Sequence, residues 1–262
     1  MAKKRRVKRI RNCDSSRDQH KDWTYDTAVE ARSLEKLALL PPSIDLREKW
    51  WRIGDQGSTG SCVGWACADG VLRWHMVKAG LIEKTQRLSV RFLWMASKET
   101  DTLVSYATTF IELAGSSIKS ALGIARKYGV VEESVLPFGG KLSPLKENSF
   151  YGTAAQRKIG SYFSLTSGNK LDNFKNWLAN NGPIAARLLC DRSWERITSN
   201  GKLEKYDTPN PNGGHAITIV GYTKNHFIIR NSFGTGWGNQ GFAYASYDYT
   251  KAAFDEAYGV KV

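Results

Sequence analysis

An α+β fold of two segregated lobes is the architecture this sequence predicts, and three observations predict it. Helical periodicity dominates the first half, from about residue 55 to 148. Short β-type runs broken by turn residues take over from about 150 to 262; the clearest are His215–Tyr222 and His226–Asn231, joined by the hairpin-length Thr223-Lys224-Asn225. With 262 residues, 41% of them hydrophobic, the chain is long enough to build a core in each lobe. Helices followed by antiparallel strands pack as two bodies, and the cleft between them is where a site is expected.

Taken in order, residues 1–12 hold seven basic side chains and no acid, so a large part of the +13 net charge sits in a basic flexible tail. Such a run reads as an import-type signal, as an arm making weak, salt-dependent contact with nucleic acid or an anionic surface through residues 3–11, or as a solubilising tail alone. Residues 13–40 form a leader with one amphipathic stretch, Ala28 to Leu40, whose Leu34, Leu37 and Ala38 share a helical face. Pro41-Pro42 ends it. Residues 41–262 then form the main domain, entered by the extended Ser43–Arg47 and the packing aromatics Trp50 and Trp51.

A small-residue loop, Gly54 to Ser61, leads into a helix from about Cys62 to Lys78 closed by Gly80, dense enough in apolar residues to be buried on all sides. Further helices are read at Ser89–Lys98 and at Ser117–Tyr128, the latter stopped by Gly129. In the second half, Lys158–Ser164, Pro183–Leu189 and a run from Phe242 to Ser246 read as strands, and Lys170–Asn180 as a helix.

Several function classes are set aside. No run approaches the ~18 apolar residues of a membrane-spanning helix, and the N-terminus has no apolar stretch of signal-peptide type. The four cysteines, Cys13, Cys62, Cys67 and Cys190, lack paired zinc-ligand spacing, so no metal is expected. Few scattered thiols suit a reducing, cytoplasmic location. Gly57–Gly60 lacks the Lys-Ser/Thr of a phosphate loop.

Chemistry converges on four residues. Cys62 opens a helix, where unpaired N–H groups and the dipole favour thiolate. His215 opens one strand of the hairpin and Asn231 closes the other, so strand pairing brings them close. Across a lobe boundary His215 can hold the proton of Cys62 and depress its pKa, while Asn231 orients the imidazole. Gln56 and the Cys62 N–H can meet the oxyanion formed when the thiolate attacks a carbonyl. These roles describe acyl transfer. Cys67 and Cys190 read as core thiols, His75 and His226 as packing or surface histidines, and His20 as part of the polar leader.

The same residues resemble the papain-like cysteine peptidases. The family pattern Gln-Gly-x-Cys-Gly-Ser-Cys-Trp stands here as Gln56-Gly57-Ser58-Thr59-Gly60-Ser61-Cys62-Val63. Asn-Ser-Trp-Gly-x-x-Trp-Gly stands as Asn231-Ser232-Phe233-Gly234-Thr235-Gly236-Trp237-Gly238, and Gly214-His215-Ala216 followed by Val220-Gly221-Tyr222 resembles the histidine strand. His215 follows Cys62 at a separation close to the ~130–150 residues of this signature. Pro42-Ser43-Ile44-Asp45-Leu46-Arg47 resembles the family's mature start.

The resemblance implies a two-lobed fold with a helical lobe, an antiparallel β-barrel-like lobe and the site in the cleft. It implies an endopeptidase with Cys62 as nucleophile, His215 as general acid–base, Asn231 as orienter and Gln56 as oxyanion donor, needing no cofactor. Gly115, Ser116 and Gly214 fall where the family binds an extended peptide. Phe233 and Trp237 fall where it shields the Asn–His bond, and Trp237 is counted with the substrate-binding residues. Thr59 stands in place of a disulfide cysteine and Val63 in place of a cleft-wall tryptophan. Residues 13–40 are shorter than the family's usual propeptide, and the reading is a short restraint over part of the cleft, anchored by Trp23 and Tyr25. A thiol acyltransferase using the same triad, or a non-catalytic binding module on the same fold, are the alternatives.

Overall fold

A computed structural model describes residues 9–100, 115–139, 147–207 and 213–262. In chain order it runs α1 (Tyr25–Glu30), β1 (Ile44–Asp45), α2 (Cys62–Gly64), a π-helical stretch (Trp65–Leu72), α3 (Arg73–Lys78), α4 (Val90–Thr100), α5 (Ile118–Lys127) and α6 (Glu147–Ala154). The second half holds β2 (Ser161–Ser164), α7 (Lys170–Asn180), β3 (Ile184–Leu189), α8 (Arg192–Glu195), β4 (Lys202–Leu203), β5 (Gly214–Tyr222), β6 (His226–Arg230), β7 (Phe242–Ser246), α9 (Tyr247–Ala253) and β8 (Phe254–Lys261). Helices thus segregate from a single sheet, as the sequence pattern requires.

The sheet order is β2-β8-β3-β5-β6-β7-β4, with β1 added on β5. Its pairings are antiparallel except β4 with β7. The central strand β5 is buried along its whole length. That burial explains its near-continuous apolar run, which a one-faced surface strand would not show.

The helix beginning at Cys62 passes without a break through α2, the π-helical stretch and α3, and lies against β5. Its widened middle has a local cause. Thr218 of β5 donates its hydroxyl to the Ala66 carbonyl at 3.2 Å, competing for the ordinary helical acceptor. A Cβ at Gly70 would collide with the same threonine, so only glycine lets helix and strand approach this closely.

Two apolar clusters flank this contact. One gathers the helical lobe around Val71, Leu72, Leu93 and Leu122 and borrows Ala216 and Tyr258 from the sheet. The other gathers the strands around Trp177, Ile217 and Phe227, and includes Tyr25, Ala28 and Leu34 of the leader. The leader is therefore part of the folded core.

The amphipathic stretch expected at Ala28–Leu40 is displaced. A capping box between Thr24 and Thr27 starts the helix at Tyr25, and Arg32 at φ 58° lies in the left-handed region, just past its end. Leu34 is buried, but Ala38 is exposed. The last strand, β8, and the helix α9 before it were not expected. Asp255, Glu256 and a glycine interrupt the apolar pattern of β8, and its burial comes from sitting between β2 and β3.

Candidate active site

Cys62 is the first residue of α2, and Ser61 before it makes no side-chain cap. The helix therefore leaves its first N–H groups unclaimed by a capping side chain. The main-chain N–H groups of Ala216, Asn12 and Val63 point at the sulfur and lower its pKa, but complete burial outweighs them and holds the thiol above its ordinary value. This corrects the expectation of a depressed thiol pKa. The physical reason is burial, which outweighs the main-chain N–H groups, that of Asn12 among them, and Asp14 adds to the rise.

His215 and Asn231 come together as strand pairing of β5 and β6 suggests, with His215 Nε2 and Asn231 Oδ1 2.8 Å apart. An amide oxygen only accepts, so Nε2 carries the proton and Nδ1 the lone pair. Asn231 Oδ1 is fixed in turn by the Ser232 N–H at 2.8 Å. Nδ1 of His215 is buried without a hydrogen-bond partner among the described residues. Burial pushes the His215 pKa down to about 4; the bond to Asn231 works upward, and Arg11 adds to the depression. The base stays neutral while the cleft is covered.

Aromatic rings wall this pair. Phe233 lies over the imidazole at 4.8 Å between centroids, and Trp194 meets it edge-on at 5.5 Å. Trp237 stands behind them, 4.7 Å from Trp194, and makes its ring contacts with Trp194 and Phe233. It is thus placed to support the shield from behind. Trp194, on the short helix α8 in a polar, charged stretch, gave no sequence signal.

Gln56 is completely buried. Its Oε1 accepts from the Ser232 hydroxyl at 2.8 Å, and its main-chain N–H donates to the Ser232 carbonyl at 2.8 Å. Both bonds cross from one lobe to the other, so the residue after Asn231 fixes the amide that precedes Cys62. The Nε2 group donates to Thr59 O at 2.9 Å and to the carbonyl of Ile10 at 2.8 Å. An amide N–H that could meet an oxyanion is therefore occupied by a leader carbonyl.

The first described residues, Arg9–Asp14, lie against Gln56, Cys62, Gly115, Ser116 and Gly214 among the groups the sequence places in the site. Cys13 N–H donates to Gly214 O at 2.9 Å, and Asp14 N–H to Ser116 O at 3.1 Å. A Cβ at Gly115 would run into the Asn12 carbonyl, and one at Gly214 into that of Cys13. Arg187 of β3 also donates to Cys13 O, at 2.9 Å. At the other end Arg9 pairs with Asp55, donates to Phe233 O at 3.0 Å and stacks on the Phe233 ring, while Arg11 pairs with Glu195 at 2.6 Å.

The covering segment is thus Arg9–Asp14, upstream of most of the 13–40 leader. The rest of the leader serves as an anchor. Ser16 donates both N–H and hydroxyl to Glu256 of β8, and Tyr25 is fully buried, edge-on to Trp177 at 6.2 Å. Trp23, by contrast, is 64% exposed. All four cysteines are free thiols, and among the described residues no group of three or more His, Cys, Asp or Glu side chains is placed to hold a metal.

Comparison with known proteins places this geometry: residues 40–258 match the papain family cysteine protease model, and the chain belongs to that family. It is 27% identical over 235 residues to mouse cathepsin K and 25% identical over 214 residues to a cathepsin L-like proteinase of Fasciola hepatica. The alignments take in 87% and 78% of this chain but only 64% and 59% of those relatives. Among solved structures, xylellain, a cysteine protease from Xylella fastidiosa, superposes with a TM-score of 0.77 at 22% identity, covering 100% of this chain and 99% of that one. Digestive procathepsin L 3 of Tenebrio molitor gives 0.66 at 19% identity, covering 87% and 72%. These likenesses agree with the papain-like α+β fold described above.

Proposed function

We propose that this protein is a cysteine endopeptidase held latent by its own Arg9–Asp14 segment. The observation that carries the reading is that this one extended segment lies across a thiol at a helix N-terminus and a buried amide N–H, with Cys13 bonded to Gly214, the residue before an imidazole oriented by an amide. Gln56 Nε2 takes the Ile10 carbonyl at 2.8 Å, and Asn12 N–H points at Cys62. A peptide bound in place of the leader would set its own carbonyl between sulfur and amide.

In the uncovered cleft, His215 Nδ1 takes the Cys62 proton and the thiolate attacks the peptide carbonyl carbon. Gln56 Nε2 and the Cys62 N–H stabilise the oxyanion. The imidazolium, kept in orientation by Asn231, gives its proton to the leaving amine. Water, deprotonated by the same imidazole, then releases the acyl group. Protease names carried by the family relatives agree with this chemistry, and the free thiols support a reducing, cytoplasmic setting.

The test compares peptide hydrolysis by the whole chain with that of a chain beginning at Asp14, with Cys62→Ala as control. A large gain on trimming, abolished by Cys62→Ala and by a thiol-directed epoxide that labels Cys62, is expected. Equal rates would remove the latency, and a trimmed chain that neither hydrolyses peptides nor takes the epoxide at Cys62 would remove the enzyme. Added amines would reveal acyl transfer as an aminolysis product.

A further inference from the structure

We propose that Asp55, Gly57 and Phe233 form a guanidinium-recognition site on the cleft rim, filled in this chain by Arg9, and that the peptidase uses it to select an arginine side chain within two residues of the bond it cleaves. The inference rests on the cysteine-peptidase reading above and names a substrate class for it. The contacts of Arg9 are those of a flat fork. Its two terminal nitrogens take the two oxygens of Asp55 side by side, Nη1 on Oδ1 and Nη2 on Oδ2, the latter at 3.1 Å. Nη1 also donates to Gly57 O at 3.3 Å, and Nη2 to Phe233 O at 3.0 Å. The central carbon of the group lies over the Phe233 ring, 5.3 Å from its centroid.

The receptor is built from the body of the protein and not from the leader. Asp55 and Phe233 face each other in an antiparallel bridge, and the Gly234 N–H donates to Gly54 O at 3.0 Å. Asp55 Oδ1 accepts the Gly57 N–H at 2.8 Å, which holds the carboxylate without help from Arg9. Gly57, at φ 59°, makes the turn that brings its own N–H and carbonyl to the same place. A Cβ on Gly234 would stand 2.8 Å from Asp55 Oδ2, so the bare backbone there lets the carboxylate sit against the opposite lobe.

An ion pair with a half-exposed carboxylate contributes little by itself. Selection comes from shape, because four acceptors surround a planar group whose face rests on a ring. A lysine ammonium would meet one carboxylate oxygen as a point charge and leave the other acceptors unfilled, so arginine is preferred over lysine. The residue after Arg9 fixes where the site lies relative to the chemistry. Ile10 puts its carbonyl on Gln56 Nε2 at 2.8 Å, the donor proposed for the oxyanion, so the guanidinium is one residue away from the place of a carbonyl under attack. Farther along the segment, Cys13 and Asp14 run instead to Gly214 and Ser116. An arginine is thus read on one side of the cleaved bond only.

The experiment uses the full chain carrying Arg9→Ala, which vacates the site. In amide NMR titrations N-acetyl-arginine amide is expected to shift the Gly57 and Gly234 resonances saturably, N-acetyl-lysine amide to bind at least tenfold more weakly, and the shifts to vanish in Arg9→Ala/Asp55→Asn. Turnover is then compared within the same variant between peptides carrying one arginine and their glutamine counterparts, the residue being moved through the positions flanking the cleaved bond. The fraction of chains in the competent state cancels in the kcat/KM ratio of two peptides on one enzyme. A ratio of at least ten on one side of the bond, falling to near one in Arg9→Ala/Asp55→Asn, is expected. No shift with the arginine amide, equal binding of the lysine amide, or shifts that persist without the Asp55 carboxylate would overturn the site. Binding with a ratio near one at every position would make it a seat for the leader alone and overturn the selection. If neither this variant nor the chain beginning at Asp14 cleaves any peptide, the peptidase reading falls, and the amide shifts still decide the recognition site.

Discussion

Asp69, on the helix that begins at Cys62, holds Arg230 at 2.6 Å, and Arg230 is the residue immediately before Asn231. Both side chains are buried, and Arg73 and Arg87 complete the cluster from the helical side at 3.2 and 2.7 Å. One carboxylate therefore ties the element carrying the thiol to the strand carrying the asparagine. Burial alone would raise the Asp69 pKa, but Arg230, Arg87 and Arg73 overcome it and hold the carboxyl below its ordinary value.

Asp69→Ala leaves buried guanidiniums unpaired, and a loss of about 3–5 kcal/mol is expected from chemical denaturation. The pH dependence has a definite sign. A depressed carboxylate pKa contributes stability above its unfolded value of ~3.9 that is lost as pH falls through the folded value. Asp69→Asn should therefore lower the melting temperature at pH 7 more than at pH 3. An equal loss at both values would contradict the role of the charge.

Glu256 predicts the opposite slope. Burial raises its pKa to about 7; the Ser16 hydroxyl and N–H and Arg187 pull down, and Asp255 pushes up. A carboxyl raised in the folded state gives stability that is present at low pH and lost as pH rises toward 7. Glu256→Gln escapes that loss, so the melting temperature of the variant minus that of the parent should increase between pH 5 and pH 8. A difference that stays constant would show that Glu256 titrates normally.

Gln56 and Ser232 form a second bridge between the lobes, and its loss should register in turnover. In a chain beginning at Asp14, Gln56→Ala removes the proposed oxyanion donor and should reduce kcat by about 10²–10³-fold. Ser232→Ala leaves that donor present but loosely held. A smaller fall in kcat, with KM little changed, is expected from steady-state kinetics.

The leader's anchoring separates two neighbouring aromatics. Tyr25→Ala empties a fully buried site against Trp177 and should cost about 3–5 kcal/mol in denaturant unfolding. Trp23→Ala, at a side chain 64% exposed, should fall within about 0.5 kcal/mol of the parent. Equal effects would mean that the leader is not held as described.

Much of this site was legible because its chemistry demands particular residues at particular ends of elements. Cys62 at a helix start and His215 and Asn231 on paired strands are local patterns, and strand pairing makes the second a prediction of proximity. Gly115, Ser116 and Gly214 could be named from the resemblance, and each lies under Asn12, Cys13 or Asp14. The features that stayed hidden depend on long-range contact. Ser232 reaches Gln56 across 176 residues, and Trp194 reaches His215 from a short helix in a charged stretch. Charge misled as well, because a basic run reads as solvated tail until Arg9 and Arg11 are seen to have acidic partners on the folded body. Trp23 and Tyr25 looked equivalent as anchors, and only the packing of α1 on α7 distinguishes them.

The cover over Cys62 and the anchor at Tyr25 belong to one chain, separated by little more than ten residues. The proposed latency would be a unimolecular equilibrium, one that dilution would not relieve and rising enzyme concentration would not strengthen. A short tether presents its own end to the cleft at an effective concentration in the millimolar range. The same six residues supplied as a separate peptide would have to reach that range to match it, and under the proposed latency a substrate would compete with a neighbour that never diffuses away.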